Sequence, residues 1–443
     1  MSKLKNLLIG AIPQAKLRRE QLSQTQISSP IWRLTLATVA TGVLAGLGGM
    51  MLALILHSIQ HWAFGYSQNA IISDESFLQG VTAATHGRRF AVLVVCGLVA
   101  GIGWWALYRW GKPLVSIAAA VKSDKPNMPF FSTTVHALLQ IITVALGSPL
   151  GREVAPREIG AISANWLSQR FDLTVRETQI MIACGAGAGL AAVYNVPLGG
   201  AVFVLEVLLG AFSWQLLLPA ICTSSIAALV AWIGLGNESQ YHLMPLNITP
   251  SLLVWSVVMG PVFGFAAYWF TRLTNKAKGQ APRDAKLIVL NLINFAIIGI
   301  LAGWLPQLLG NGKGPAQISF DNQITIGLAA LLLVAKVAIT WSTLRAGAQG
   351  GLLTPGLSNG ALLACVLGGL WNIYWPGTSL GAFAIIGAAA FLASSMKMPL
   401  TAVVLIMEFT RVGHDFLIPI LFAVTGSIAV QSLCTKAFEA KKS

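Results

Sequence analysis

Arg152 and Glu153 stand side by side in an otherwise apolar stretch of the chain. A charge at bilayer depth costs about 3 kcal/mol on insertion scales, so each needs a partner, a cavity or, for the acid, a proton. Gly151 would let backbone amides approach a ligand closely, and a helix that begins near Val154 would direct free N–H groups and its positive dipole end at an anion. We therefore predict an anion site at residues 151–155, which Glu153 could occupy as a tethered carboxylate in place of a free anion.

A second segment, residues 346–355, is also rich in glycine and also precedes a predicted helix start. It contains no acid, so Gly351, Leu352 and Leu353 would offer an anion only backbone amides. Glycine-rich bends in membrane proteins are more often packing devices than ligand sites. The alternative for the first segment is that its Arg and Glu pair with each other or with other groups of the chain, and both alternatives stay open at the level of sequence.

The composition indicates that these segments lie in a membrane. Of 443 residues, 55% are hydrophobic and only 10% are charged, and the formal net charge is +14. A soluble domain has about a quarter of its residues charged. We therefore predict an all-α polytopic membrane protein, with its basic residues in loops and termini and no nucleic-acid partner. Disordered, collagen-like and disulfide-rich secreted classes are excluded.

Cysteine and histidine give no sign of a metal site. The 5 cysteines and 6 histidines are scattered through the chain without a ligand spacing such as Cys-x-x-Cys. His57 and His61 could share a helix face, but no acidic or thiol residue lies near them in the sequence. We expect them at a helix end near the membrane interface and predict neither a metal nor a membrane-embedded enzyme.

Apolar runs and breaks outline the helices. The runs long enough to cross about 30 Å of hydrocarbon are residues 32–59, 90–107, 214–233, 252–270, 287–304, 324–341 and 417–433. Shorter apolar pieces cut by Gly and Pro are residues 135–150, 159–167, 179–193, 197–209, 352–370, 383–394 and 399–409. Such pieces predict discontinuous helices that meet near the middle of the membrane.

The two halves of the chain resemble each other. The matching segments are residues 151–156 with 350–355, residues 195–198 with 397–400, and Glu206 with Glu408. In each half a Pro-Leu pair precedes an apolar run that ends at the glutamate, with the same spacing. We predict an internal duplication, with inverted copies if each half contains an odd number of spans.

The expected organisation follows from these segments and from the distribution of basic residues. The parts are a cytoplasmic N-terminal tail (1–31), a first membrane repeat (32–235), an extracytoplasmic linker (236–250), a second membrane repeat (251–435) and a cytoplasmic C-terminal tail (436–443). Basic residues gather at both termini and near residues 109–125 and 272–286, whereas the linker is poor in them. By the positive-inside rule both termini face the cytoplasm, and we expect a multi-pass protein of the cell (inner) membrane.

These motifs resemble the CLC family of chloride channels and proton-coupled chloride transporters, in its bacterial form without CBS domains. Gly151-Arg152-Glu153 resembles the family's Gly-Lys/Arg-Glu-Gly-Pro motif, in which the glutamate is the external gate. Further similar segments are residues 184–206, 310–312, 336–355 and 398–408. The resemblance implies two inverted repeats with discontinuous helices, a homodimer in the bilayer with one chloride pore per subunit, and no cofactor.

Several positions depart from the family pattern. Val154-Ala155 replaces the Gly-Pro that follows the gate, and Leu353 replaces a phenylalanine whose backbone amide helps to hold the central anion. The family's Gly-Ser-Gly-Ile-Pro filter is not found, and the nearest substitutes are Ser116 or Lys112.

The pore tyrosine of the family is missing as well. The last tyrosine is Tyr374, and Phe438 is only a loose neighbour of the expected position.

The inner proton acceptor of the family is also missing. Its transporters usually have a second glutamate directly after the position of Glu206, where this chain has Val207. We therefore expect channel-like or weakly proton-coupled chloride conduction gated by Glu153, with H+/Cl− exchange as the alternative. Glu206 and Glu408 are interpreted as structural or proton-path residues, and Lys336 as a cation paired within the protein. A carrier of another inverted-repeat fold would need an unpaired acid in the second-half segment, which has none.

Overall fold

The computed structural model describes residues 29–67, 71–73 and 75–439. These residues form seventeen α-helices and no β-sheet. The predicted all-α fold class is confirmed. Most of the predicted N-terminal tail and the last four residues of the chain lie outside the described residues.

The helices of the first half are α1 (Ile31–Phe64), α2 (Phe77–Ala83), α3 (His86–Trp110), α4 (Ile117–Lys122), α5 (Phe130–Ala145), α6 (Val154–Arg170), α7 (Val175–Tyr194), α8 (Pro197–Phe203, continued by the π-helical turn Val204–Leu209) and α9 (Trp214–Leu235). Those of the second half are α10 (Pro250–Gly279), α11 (Lys286–Trp304), α12 (Lys313–Phe320), α13 (Ile326–Ala346), α14 (Leu353–Tyr374), α15 (Leu380–Met396), α16 (Pro399–Thr410) and α17 (Leu417–Glu439). Short 3-10 turns, Pro306–Leu308 and His414–Phe416, precede α12 and α17.

Eight of the described helices are long and apolar enough to cross a membrane. Seven of them, α1, α3, α9, α10, α11, α13 and α17, coincide with the predicted apolar runs. The eighth is α14, which we expected to be broken and which is continuous over 22 residues. Pro355 lies in the first turn of α14, where its missing N–H costs no helical hydrogen bond. Gly360 serves close packing, since a Cβ there would lie 2.5 Å from the carbonyl oxygen of Gly387 in α15.

The two halves share one arrangement of helices. In the first half α6 packs on α7 and α1 packs on α9, and in the second half α14 packs on α15 and α10 packs on α17. Across the halves, α3 packs directly on α11 and α8 packs directly on α16. Contacts of this kind between equivalent helices are those that a two-fold axis between the halves requires.

The contact between α8 and α16 shows that the repeats are inverted. The carboxylate of Glu206, at the end of α8, accepts the backbone N–H groups of residues 400 and 401 at 3.0 and 2.7 Å. The carboxylate of Glu408, at the end of α16, accepts those of residues 198 and 199 at 3.0 and 2.7 Å. Because the end of each helix lies beside the start of the other, the two helices run antiparallel. Both glutamates therefore cap a helix of the opposite half.

Lys336 is held by main-chain carbonyl groups. The side chain is fully buried in α13, and its Nζ donates to the carbonyl oxygens of Leu308 and Gly310 at 3.2 and 2.7 Å. The predicted pairing of this cation within the protein is confirmed. The contact fixes the loop before α12. Asn311 of this loop and Lys313, the first residue of α12, line a cavity beside Arg152.

Candidate functional site

The starts of α6 and α14 meet inside the helical bundle. The N–H of Gly151 donates to the carbonyl oxygen of Gly351 at 2.8 Å, and the N–H of Gly351 donates to that of Gly151 at 2.9 Å. The first turns of both helices follow directly, so their free N–H groups lie close to one another. The two segments that were predicted separately as anion sites thus belong to one site.

Glu153 reaches from the start of α6 to the start of α14. Its side chain is fully buried, and its Oε1 accepts the N–H of Leu353 at 2.7 Å. Its Oε2 has no hydrogen-bond partner among the described residues. The two bridging glycines leave room for the carboxylate, because a Cβ at Gly151 would lie 2.0 Å from Oε2 and one at Gly351 would lie 1.8 Å from Oε1. A carboxylate therefore lies where the positive end of α14 would hold an anion.

Arg152 is buried and faces a different set of groups. Its guanidinium lies over the ring of Tyr194, 5.3 Å from the centroid, and no ion pair joins Arg152 to Glu153 in the described part of the chain. The residues around it line a cavity of about 10 Å³: Arg152, Tyr194, Gln240, Tyr241, Asn311, Lys313, Thr354 and Phe409. That volume is about the space of one water molecule. On this side the site is nearly closed.

A larger cavity lies on the other side of Glu153. Its volume is about 360 Å³, and Glu153, Val154 and Leu352 lie in its wall. Three cations also line it: Arg157, Lys278 and Lys397. Positive charges around a cavity with low-dielectric walls raise the local concentration of anions. Because Arg152 lines the small cavity and Glu153 lines the large one, the starts of α6 and α14 lie between the two.

A third cavity extends the large one. It has a volume of about 220 Å³ and shares Thr271, Asn275 and Lys397 with the large cavity. Phe438 lines its far part and stacks on Tyr268, with ring centroids 5.7 Å apart. A route lined in part by polar and cationic side chains therefore leads from the carboxylate side of the site toward the ends of α10 and α17.

Other predicted site residues lie elsewhere. Lys112 lines a separate surface cavity of about 490 Å³ beside α6. Ser116 is the N-cap of α4, and its Oγ accepts the N–H of Ala119 at 3.2 Å. The structure therefore places neither of these possible filter residues in the walls of the cavities beside Glu153. Ala155 is fully buried in an apolar cluster with α1 and α5, and Val207 is 38% exposed on the π-helical turn.

Sequence reasoning did not find four residues of the site: Tyr194, Arg157, Lys278 and Lys397. Arg157 follows Glu153 by four residues, a helical spacing that could have predicted one face. Lys278 belongs to a basic segment that was interpreted only as a sign of topology. Lys397 was noted only as part of a repeat, where it ends α15 with φ 55° as Asn195 ends α7 with φ 54°.

The fold and the site define a membrane protein of two inverted repeats with a carboxylate between opposed helix starts. A family model for the voltage-gated chloride channel matches residues 91–432, and the chain belongs to this family, the CLC family. The predicted family is confirmed.

Relatives of similar sequence include one named as an exchange transporter and one named as a chloride channel protein. The chain is 27% identical over 435 residues to the H(+)/Cl(−) exchange transporter ClcA of Cronobacter sakazakii, which covers 94% of this chain and 89% of that protein. It is 25% identical over 391 residues to a putative chloride channel protein, ClcB-like, of Ralstonia nicotianae, with 85% and 89% covered.

Solved structures share the fold. A slow cyanobacterial Cl−/H+ antiporter matches with a TM-score of 0.79 at 18% identity, over 91% of this chain and 95% of that one. A CLC-type fluoride/proton antiporter matches with a TM-score of 0.64 at 21% identity, over 91% and 96%. The inverted-repeat fold class is confirmed by this likeness.

Proposed function

We propose that this protein exchanges chloride for protons across the membrane and that Glu153 is the group that both ions share. The observation that carries the proposal is the position of the Glu153 carboxylate on the N–H of Leu353. As an anion, the carboxylate competes with chloride for the start of α14. When it is protonated it loses its charge, and the amides become free for chloride. One side chain thus links the movement of a proton to the passage of an anion.

The path of the anion follows from the two cavities. Chloride enters on one side past Arg152 and on the other past Arg157, Lys278 and Lys397, and backbone amides of residues 151–155 and 351–353 hold it between them. Buried N–H groups and guanidinium groups are the donors that suit a small anion. The names of relatives such as ClcA support exchange rather than simple conduction.

Channel-like or weakly coupled conduction is the second candidate. It is favoured by one observation, that Val207 offers no titratable group where transporters of the family usually have their inner acid. In that case chloride would pass while Glu153 acts only as a gate. The two candidates differ in whether protons move with chloride.

We further propose a homodimer in the cell (inner) membrane with both termini in the cytoplasm. The homodimer rests on the resemblance to the family. The orientation rests on the basic residues near 109–125 and 272–286, which the positive-inside rule assigns to the cytoplasm. The large cavity would then open to the cytoplasm and the small one to the outside.

The deciding measurement is the reversal potential of the purified protein in liposomes under a chloride gradient, with and without an opposing pH gradient. Exchange predicts that the potential shifts with pH, whereas a potential that follows chloride alone supports a channel. Glu153→Gln is expected to remove the pH dependence while chloride still passes. Asp172→Asn removes an exposed carboxylate and is expected to behave like the wild type. Unchanged pH dependence in Glu153→Gln would contradict the shared role of this residue.

A further inference from the structure

One close histidine–carboxylate pair lies inside the helical bundle in the described part of the chain, and the pathway described above does not use it. His136 of α5 and Glu158 of α6 approach each other with Nδ1 at 2.8 Å from Oε2 and 3.0 Å from Oε1. Their side chains are only 10% and 12% exposed. The other ion pair of the described residues, Arg33 with Asp172, is exposed and 4.0 Å long.

A glutamine completes this cluster. Nε2 of Gln140 lies 3.0 Å from Nδ1 of His136 and 3.3 Å from Oε2 of Glu158. The side chain of Gln140 is fully buried, and its Oε1 has no partner among the described residues. A buried acceptor without a partner loses the hydrogen bonds that water would give it. The cluster therefore keeps one open position for a hydrogen-bond donor such as water.

Packing alone does not explain an ionisable pair at this place. Around it, α1, α5 and α6 share an apolar cluster that includes Leu52, Leu56 and Ile141. An apolar pair of similar volume is often as stable as a buried ion pair or more stable. Ionisable groups that are kept within membrane helices usually mark ion or proton pathways.

The pair has a route to one face of the protein. On α6, Glu158, Ile162, Asn165 and Gln169 recur at helical spacing and share one side of the helix. The last three line the surface cavity of about 490 Å³ that also contains Lys112. Glu158 therefore lies one helical turn before Ile162, the first of the α6 residues that line this surface cavity.

Arg157 connects the pair with the carboxylate of Glu153. Glu153 precedes Glu158 by five residues, which is about 7.5 Å along the axis of α6 and about 140° around it, so the two side chains leave the helix on different sides. Arg157, between them, lines the same cavity as Glu153 and interacts electrostatically with both carboxylates.

The other helices at this level present mostly uncharged groups to α5 and α6. From α3, the titratable Cys96 donates its thiol to the carbonyl oxygen of Thr143. From α7, Gly185 packs on Gly160. The titratable residues of α1 near this level are His57 and His61, and His57 interacts with Arg152 on the side of the small cavity. Among the described residues, the charge that acts on the pair is thus that of Arg157. Lys112 lies in the wall of the surface cavity.

We propose that His136 and Glu158 form the inner proton relay of this transporter, between the cavity at Lys112 and Glu153. The proposal rests on the proton exchange proposed above. A proton from solvent binds the pair. The proton then moves through water to the carboxylate of Glu153, which becomes neutral, and the pair returns to its first state. The relay supplies the titratable group that Val207 does not.

The test compares proton and chloride fluxes of reconstituted protein under a chloride gradient. Glu158→Gln and His136→Gln keep hydrogen-bonding side chains but cannot hold the same protons. We expect each to lower the proton flux by about a hundredfold, the size typical of a lost acid–base group, while chloride flux persists. Persistent chloride flux also shows that the variant is folded. Ser168→Ala removes a buried hydroxyl that donates within α6 and is expected to leave both fluxes unchanged.

Each outcome decides a separate point. A wild-type protein that moves no protons would refute exchange and the relay with it. Wild-type proton flux that persists in both glutamine variants would overturn the relay and leave the proposed exchange intact. If Glu158→Gln loses both fluxes, the result for His136→Gln is used instead: loss of proton flux with chloride flux kept supports the relay, and proton flux that persists overturns it. Loss of both fluxes in both variants would assign the pair a purely structural role and overturn the relay.

Discussion

At the scale of single residues, the site depends on how little space surrounds one carboxylate. Glu153 fits on the N–H of Leu353 because Gly151 and Gly351 have no side chains. The two glycines matter here because they leave space for the carboxylate, and not because they make the backbone flexible. The size of a side chain at position 351 therefore controls whether the Glu153 carboxylate can lie on the start of α14.

Gly351→Ala is expected to displace the Glu153 carboxylate from Leu353. The added Cβ would lie 1.8 Å from Oε1 and 2.2 Å from Cδ of Glu153, so one of the two side chains must move. Overpacking of this kind costs about 1–3 kcal/mol of unfolding free energy. We expect lower thermal stability and a loss of proton coupling like that of Glu153→Gln, measured by thermal unfolding in detergent and by flux assays.

A double variant separates this clash from general damage. Adding Glu153→Gly to Gly351→Ala removes the glutamate side chain with which the new Cβ clashes. The stability lost by Gly351→Ala should therefore largely return. Gly327→Ala places a Cβ in open space and serves as the matched control. Additive losses in the double variant would mean that position 351 acts through the backbone and not through the carboxylate.

The sequence could predict this part of the site but not its cationic wall. Glycine, acid and helix start are adjacent in the chain, so local rules place Glu153 beside free amides. Lys278 and Lys397 reach the same cavity only because α10 and α15 pack beside α14. Lys112 shows the converse, since its closeness in sequence to the expected filter did not bring it to Glu153.

At the scale of elements, α8 and α16 cap each other: a glutamate near the end of each helix accepts N–H groups at the start of the other. Each helix starts with proline and has free N–H groups in its first turn, and each ends beside a glutamate that caps the other. Hydrogen bonds to a charged acceptor contribute about 1.5–3 kcal/mol each. The pair of caps thus joins the two repeats at their shared axis.

Glu206→Gln and Glu408→Gln are each expected to lower stability by about 2 kcal/mol through the loss of charged caps. Both carboxylates accept two backbone N–H groups with the same pair of distances. The loss should be somewhat larger for Glu206→Gln, because Glu206 also accepts the hydroxyl of Thr401 at 2.6 Å. Thermal unfolding measures the loss, with Asp124→Asn as an exposed control. We expect the ratio of protons to chloride to persist. A variant that keeps its stability and loses proton coupling would instead place its glutamate on the proton path.

Helix continuity was predictable only in part. Long apolar runs identified seven spans because hydropathy over a window reports burial in lipid directly. The run at residues 352–370 was misjudged because glycine weakens a helix in isolation and yet permits close helix packing in a membrane. Close packing against α15 keeps α14 helical at its glycines. This contact is made between distant parts of the chain, so the sequence of residues 352–370 alone does not reveal it.

At the scale of the whole molecule, the two faces of the protein differ in charge. Arg283 lies over the ring of Tyr108, 6.0 Å from the centroid, which joins the basic segment after α10 to the end of α3. Gln179, at the start of α7, donates to the carbonyl oxygen of Ser123 at 2.9 Å. The two basic segments therefore gather on one face, together with the start of α7. The linker between the repeats packs on the end of α16 instead, where the N–H of Tyr241 donates to the carbonyl oxygen of Phe409 at 3.0 Å.

This asymmetry predicts the orientation of the protein in the membrane. The basic face should remain in the cytoplasm, because translocation of lysine and arginine is disfavoured. In a variant without the native Cys222 and Cys434, a cysteine at the exposed Met244 of the linker should react with an impermeant maleimide on intact cells. A cysteine at the exposed Lys125 should react only after permeabilisation. The reverse pattern would place the cationic cavity outside, and chloride entering from the cytoplasm would then meet Arg152 first.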